Sequence, residues 1–192
     1  MRNVLGSVIV LFVLLNSCGM ESNQVKDPSV SMDTTNLILK GEKLVAIGGC
    51  NDCHSPKRVG AKGPEIIPEL LLSGYPSERP LSLHEVELAK KGIIQMNEDG
   101  TAALGPWGAS FAGNLTSDST GAGSWPFDNF KRAMRHGRFK GIETARMLLP
   151  PMPWQGYAKF SDDELKAIHA YLHSIRPVHN VPPPPIPLNE VN

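Results

Sequence analysis

The sequence predicts a mostly α-helical domain in which a helix near the N-terminus packs on the last helix, with an inserted segment between them that adds one helix and a small β-hairpin. Three observations predict it. Leu37, Gly41, Leu44, Val45 and Gly48 fall on one face at helical spacing. Ser161-Asp162-Asp163-Glu164 reads as a capping box ahead of Leu165, Ile168, Leu172 and Ile175, which again repeat at helical spacing. In the insertion, Ser82 and Glu85 make a second capping box with Gly92 as its stop, and Asn97-Glu98-Asp99-Gly100 suggests a hairpin turn.

Taken in order, the chain opens with Met1-Arg2-Asn3 and an apolar run over residues 4–15, too short to anchor in a bilayer and typical of an export signal. Leu15-Asn16-Ser17-Cys18 resembles the lipobox of bacterial lipoproteins, which implies removal of residues 1–17 and acylation of Cys18. Residues 18–35 are polar and contain Pro28, so they read as a flexible tether. The domain proper spans residues 36–176, with residues 57–104 as the insertion. Gly41 in its first helix costs about 1 kcal/mol relative to Ala, which a close helix crossing offsets. A further helix begins at Pro126 and buries Phe127, Phe130 and Met134, ending at His136-Gly137. Phe160 against Leu165 staples the start of the last helix, and Pro177 stops it. Residues 177–192, with six prolines including Pro182 to Pro185, read as an extended tail rather than core. The 19 basic and 19 acidic side chains balance, so nothing favours nucleic acid, which needs a basic face.

The chemistry lies in Gly49-Cys50-Asn51-Asp52-Cys53-His54. A dithiol oxidoreductase needs a strand ahead of Cys-x-x-Cys, and a zinc site needs a second ligand pair; neither is present. Cys-x-x-Cys-His is the attachment motif of haem c, in which both thiols form thioethers with the haem vinyl groups and the His binds iron as proximal ligand. The three cysteines are then all used: Cys18 for lipid, Cys50 and Cys53 for one haem. An aromatic content of 6% suits a core whose largest planar apolar group is that haem.

The sixth ligand comes from the five other His or from Met96, Met134, Met147 and Met152. Met134 sits on an apolar stripe, where core packing is the ordinary role. His169 and His173 lie on the last helix, with surface or structural hydrogen-bonding roles, and His136 suits a helix C-terminus. Met152, in Leu149-Pro150-Pro151-Met152-Pro153-Trp154, is presented by a stiff helix-free loop and is the favoured ligand. Met147, a His or an open position are the alternatives, and an open position would make the protein a haem enzyme such as a peroxidase or small-oxidant reductase.

Gly105-Pro106-Trp107-Gly108, Phe111-Ala112-Gly113-Asn114-Leu115-Thr116, Thr120 to Trp125, Arg135-His136-Gly137 and Leu149 to Trp154 together resemble the bacterial class I cytochromes c. The similarity is greatest to the cytochrome domains that accompany membrane alcohol, aldehyde and gluconate dehydrogenases. This resemblance implies iron ligation by His54 and Met152, and a Pro64 carbonyl holding the His54 imidazole. It also implies haem-pocket or propionate contacts from Asn114, Trp125 and Arg135. The implied activity is one-electron transfer rather than substrate chemistry, between redox partner proteins: a dehydrogenase as donor and an oxidase or another cytochrome as acceptor. The implied location is the periplasmic side of a bacterial membrane. The insertion is expected to cover one edge of the haem.

Overall fold

The computed structural model describes residues 28–82 and 85–191. The expected signal segment, Cys18 and residues 18–27 of the expected tether lie outside the described residues, as do Leu83 and His84. Two helices, α1 (Pro28–Ile47) and α2 (Cys50–His54), lead into a hairpin of β1 (Lys57–Gly60) and β2 (Gly63–Ile66). After α3 (Val86–Lys90) comes an antiparallel sheet ordered β3 (Gln95–Met96), β4 (Ala102–Gly105) and β5 (Gly108–Phe111). Three helices close the fold: α4 (Phe127–His136), α5 (Trp154–Tyr157) and α6 (Asp162–Ser174).

The architecture is mostly helical and turns on the crossing of α1 with α6. A Cβ on Gly41 would stand 2.0 Å from the Ala167 carbonyl oxygen and 2.8 Å from Tyr171 Cβ. Only a glycine lets the two backbones approach so closely, which is the return for its weak helix propensity. Val45 of α1 and Leu165, Ile168 and Leu172 of α6 are buried together with Phe130 and Met134 of α4, forming the main core. The cap of α6 is as expected: the Glu164 amide donates to Ser161 Oγ at 3.2 Å, and the Ser161 amide donates to Glu164 Oε2 at 2.7 Å. The C-terminal residue Gly137 closes α4 with φ 62°.

Three sequence expectations need correction. The tether is not flexible up to residue 35, because α1 already starts at Pro28. No Gly or Pro intervenes between Pro28 and Gly41, so a helix nucleated by its buried half extends backwards at little cost. The Ser82 capping box does not start α3, which begins at Val86 with Glu85 as N-cap and no side-chain cap. The Glu85 carbonyl accepts from the Leu88 and Ala89 amides of the first turn and also from Gln95 Nε2 at 3.0 Å, which ties the helix start to β3. The insertion is more than one hairpin. β5 joins the expected pair, β1 and β2 make another, and Tyr75, Ala89, Ala102, Leu104 and Ala109 bury a second core.

The tail is extended as expected, yet it belongs to that second core. Ala109 and Ile186 exchange both backbone hydrogen bonds, at 2.8 and 3.0 Å, and Ile186, Leu188 and Val191 pack on the cluster. Asn180 is buried and donates through Nδ2 to the Ser73 and Tyr75 carbonyls at 2.7 and 2.9 Å. Prolines pre-set the extended backbone, and the free edge of β5 supplies the partner that makes it a strap.

Candidate functional site

Cys50, Cys53 and His54 share the single short helix α2, started by Gly49 in the left-handed region at φ 68°. Both thiols are free and half-buried. Burial pushes the Cys50 thiol up to about 11 and raises Cys53 as well, so neither resembles the low-pKa attacking thiol of a dithiol oxidoreductase. Among the described residues no three His, Cys, Asp or Glu side chains converge to hold a metal ion.

The His54 imidazole donates from Nδ1 to the Gly113 carbonyl at 2.7 Å. Burial holds its pKa below the ordinary range, with that carbonyl acting in the opposite direction, so the ring is neutral at pH 7. With Nδ1 tied as donor, Nε2 keeps a lone pair for a metal. The expected holder, Pro64, is displaced from this role: it is exposed in β2 and pairs with Val59. A carbonyl carries no side-chain signature, so Gly113 was visible only as the residue before Asn114.

Met152 packs against the main core together with Cys50, Trp125 and Tyr157. Its loop is bound at several points. The Leu148 amide donates to the Gly137 carbonyl at 2.6 Å, Arg138 bridges to Met147, and Ser110 Oγ donates to the Pro150 carbonyl at 2.7 Å. Behind Met152, Tyr157 of α5 donates its hydroxyl to the Gly48 carbonyl at 2.6 Å, joining the loop to the turn ahead of Cys50. Burial, reinforced by the neighbouring Cys50, pushes that phenol up to about 12 and keeps it a donor.

Trp125 packs at the edge of the same cluster. Its Nε1 is buried with no hydrogen-bond partner among the described residues, an N–H donor awaiting an acceptor. The backbone carbonyl of Trp125 accepts from His169 Nε2 at 2.9 Å, the structural role expected of that His. Asn114 and Arg135 have protein partners of their own. Asn114 is buried and ties the tail, donating to the Val178 and Asn180 carbonyls at 2.8 and 3.2 Å. Arg135 donates to the Ala158 carbonyl and pairs with Asp162 at 2.9 Å on the surface. Met134 is core, as expected, and Met96 and Met147 are exposed.

These residues fit a covalently held haem: two free thiols and an imidazole with a free Nε2 on one helix, a thioether in the same apolar cluster, and an orphaned buried N–H suited to an anionic propionate.

No protein-family model matches the chain. It is 31% identical over 144 residues, 74% of its length, to the gluconate 2-dehydrogenase cytochrome c subunit of Pantoea cypripedii, of which it covers 24%. It is 25% identical over 184 residues, 95% of its length, to a nicotinate dehydrogenase subunit of Pseudomonas putida, covering 12% of that protein. A third relative is the cytochrome c subunit of the quinone-dependent alcohol dehydrogenase of Gluconacetobacter polyoxogenes, 35% identical over 75 residues, 38% of this chain and 15% of the relative. The chain therefore spans a quarter or less of the length of these curated relatives.

Proposed function

We propose that this chain is an exported, lipid-tethered c-type cytochrome with a single haem, serving as the electron-accepting subunit or close redox partner of a dehydrogenase and passing electrons singly to another redox protein. The observation that carries this reading is the packing on one apolar cluster of Cys50, from the helix that also bears Cys53 and His54, of Met152 and of Trp125 with its orphaned N–H. Relatives named as cytochrome c subunits of gluconate and alcohol dehydrogenases support it.

Cys50 and Cys53 would hold the haem by thioethers, and His54 and Met152 would bind its iron. When bound, the haem supplies a one-electron iron couple whose potential Met/His ligation raises. The protein's own contribution is positional and electrostatic. Gly113 fixes the His54 ring and its tautomer. Tyr157 and Ser110 hold the two flanks of the Met152 loop, and the buried aliphatic side chains of the main core keep water from the site. Trp125 offers its N–H to a propionate, a charge-assisted bond that lowers the cost of burying that anion. In this reading Cys18 carries the lipid, which would keep the domain on the periplasmic side of its membrane beside the dehydrogenase and an oxidase or cytochrome acceptor. No helix among the described residues is long and apolar enough to cross a membrane.

The test is the absorption spectrum of protein matured in an exporting, haem-attaching host. A weak far-red methionine-to-iron band in the oxidised form, with no carbon monoxide response on reduction, is expected. High-spin iron that binds carbon monoxide readily would overturn His/Met ligation and turn the assignment to a haem enzyme. Co-purification with a dehydrogenase separates a fixed subunit from a free carrier.

A further inference from the structure

The inserted residues, continued through β5, touch both sides of the proposed haem site. On the His54 side, Lys57 Nζ donates to four carbonyls: Asn51 (3.2 Å), Asp52 (2.7 Å) and Ser55 (3.0 Å) at the end of α2, and Asp99 (2.8 Å) in the turn between β3 and β4. That turn is itself locked. Asp99 is buried and accepts from Arg79 Nη1 at 2.6 Å and from Thr101 Oγ1 at 2.6 Å, while Asn97 Nδ2 donates to it at 2.9 Å. It lies so close to α2 that a Cβ on Gly100 would stand 2.7 Å from the Asp52 carbonyl oxygen.

On the Met152 side, Trp107 Nε1 donates to Ser110 Oγ at 3.2 Å, and Ser110 Oγ donates to the Pro150 carbonyl at 2.7 Å, two residues before Met152. Ser110 is buried in β5, paired with Ala103 of β4, four residues beyond Asp99. Three residues after Ser110 stands Gly113, whose carbonyl holds the His54 ring. One extended stretch, residues 110–113, therefore grips the His54 imidazole and the Met152 loop at once.

We propose that residues 57–111 form a clamp that sets the position of the Met152 loop relative to α2, with Ser110 the positioning residue at the loop and Lys57 its counterpart at the helix. This rests on the reading of Met152 as an iron ligand. A loop carrying three prolines within four residues has few bonds of its own to fix it, and the Met152 amide makes only a 3.3 Å contact with the Leu149 carbonyl. Ser110 supplies a fixed point from a rigid sheet. Sheet-borne groups hold a ligand segment more tightly than loop-borne ones, which keeps the Met side chain from leaving the iron.

The experiment compares the haem-loaded full chain with Ser110→Ala, Ser110→Thr, Lys57→Met and Met152→Ala. It reads the far-red band, the carbon monoxide association rate of the reduced protein, and thermal unfolding. Met152→Ala tests the ligand reading alone: a wild-type spectrum in that variant overturns the ligand reading and the clamp with it. Given a band that Met152→Ala abolishes, Ser110→Ala should weaken it and speed carbon monoxide association about tenfold, the factor corresponding to about 1.4 kcal/mol. Ser110→Thr, which keeps the hydroxyl, should stay near wild type. Lys57→Met should also speed association, although the Lys57 ammonium bonds only to backbone carbonyls of α2, of Ser55 beside it and of the facing turn. Wild-type band and rate in Ser110→Ala overturn the clamp, as does an equal loss in Ser110→Ala and Ser110→Thr accompanied by equal falls in melting temperature.

Discussion

Each side chain in the proposed site has a separable task, and substitution should separate them. Cys50→Ala and Cys53→Ala should each leave one thioether, with haem retained under denaturing electrophoresis but reduced in yield; the double variant should lose covalent haem altogether, checked by peroxidase staining of the gel. His54→Ala should abolish the normal low-spin spectrum. Met152→Ala should keep haem attached and open the iron to carbon monoxide; unchanged oxidised and reduced spectra would show that another group is the ligand. The tautomer of His54 follows from one bond, to the Gly113 carbonyl. The side-chain chemistry of the motif is what singles out Cys50, Cys53 and His54 in the sequence, and the structure puts all three on one helix. Gly113 rather than Pro64 holds the ring because the group that orients an imidazole is chosen by three-dimensional approach, which a one-dimensional motif does not contain.

Helices and strands in this fold stand or fall on a few contacts. At the α1–α6 crossing, Gly41→Ala should destabilise the protein by about 1–3 kcal/mol, because the added methyl meets a backbone carbonyl that cannot turn aside. An ordinary helical Gly→Ala change stabilises by about 1 kcal/mol, so the sign of the effect in thermal or denaturant unfolding tests the crossing. Ser161→Ala should cost about 1 kcal/mol by removing the α6 cap, measured in the same way. The two long helices were legible because their periodicity and caps are local. The start of α3 and the strand β5 were not, since Glu85 is held by Gln95 and β5 depends on pairing with β4 and Ile186.

Two cores share one chain, and the insertion is bound to the helical part through polar groups as well as packing. Burial alone would raise the Asp99 carboxyl, but the Thr101 hydroxyl and amide and the Arg79 guanidinium outweigh it and hold the group below the usual carboxylate range. A depressed folded-state pKa contributes stability above the unfolded value, about pH 4, and loses it as pH falls through the folded value. The protein should therefore soften below about pH 4, with the insertion opening first in hydrogen exchange. Asp99→Asn should lower the melting temperature at pH 7 and flatten its fall in acid; an unaltered pH profile would show that Asp99 is not the group responsible. Asp118, Asp162 and Glu164 are also held low, but by partners on an exposed surface, where water screens the gain.

Read alone, the 192 residues already specified the Cys-x-x-Cys-His motif, the crossing of the first and last helices at Gly41, the α6 cap and the proline-bound loop around Met152. Each of these depends on residue type and on spacing within a turn or two, and such local physics survives projection onto one dimension. Tertiary structure alone decided that Gly113 holds His54, that the tail becomes a strap on β5, that Ser110 bonds the Pro150 carbonyl and that Lys57 bonds the Asp99 carbonyl. Those contacts join groups 40 or more residues apart through backbone carbonyls, which every residue possesses and no sequence distinguishes.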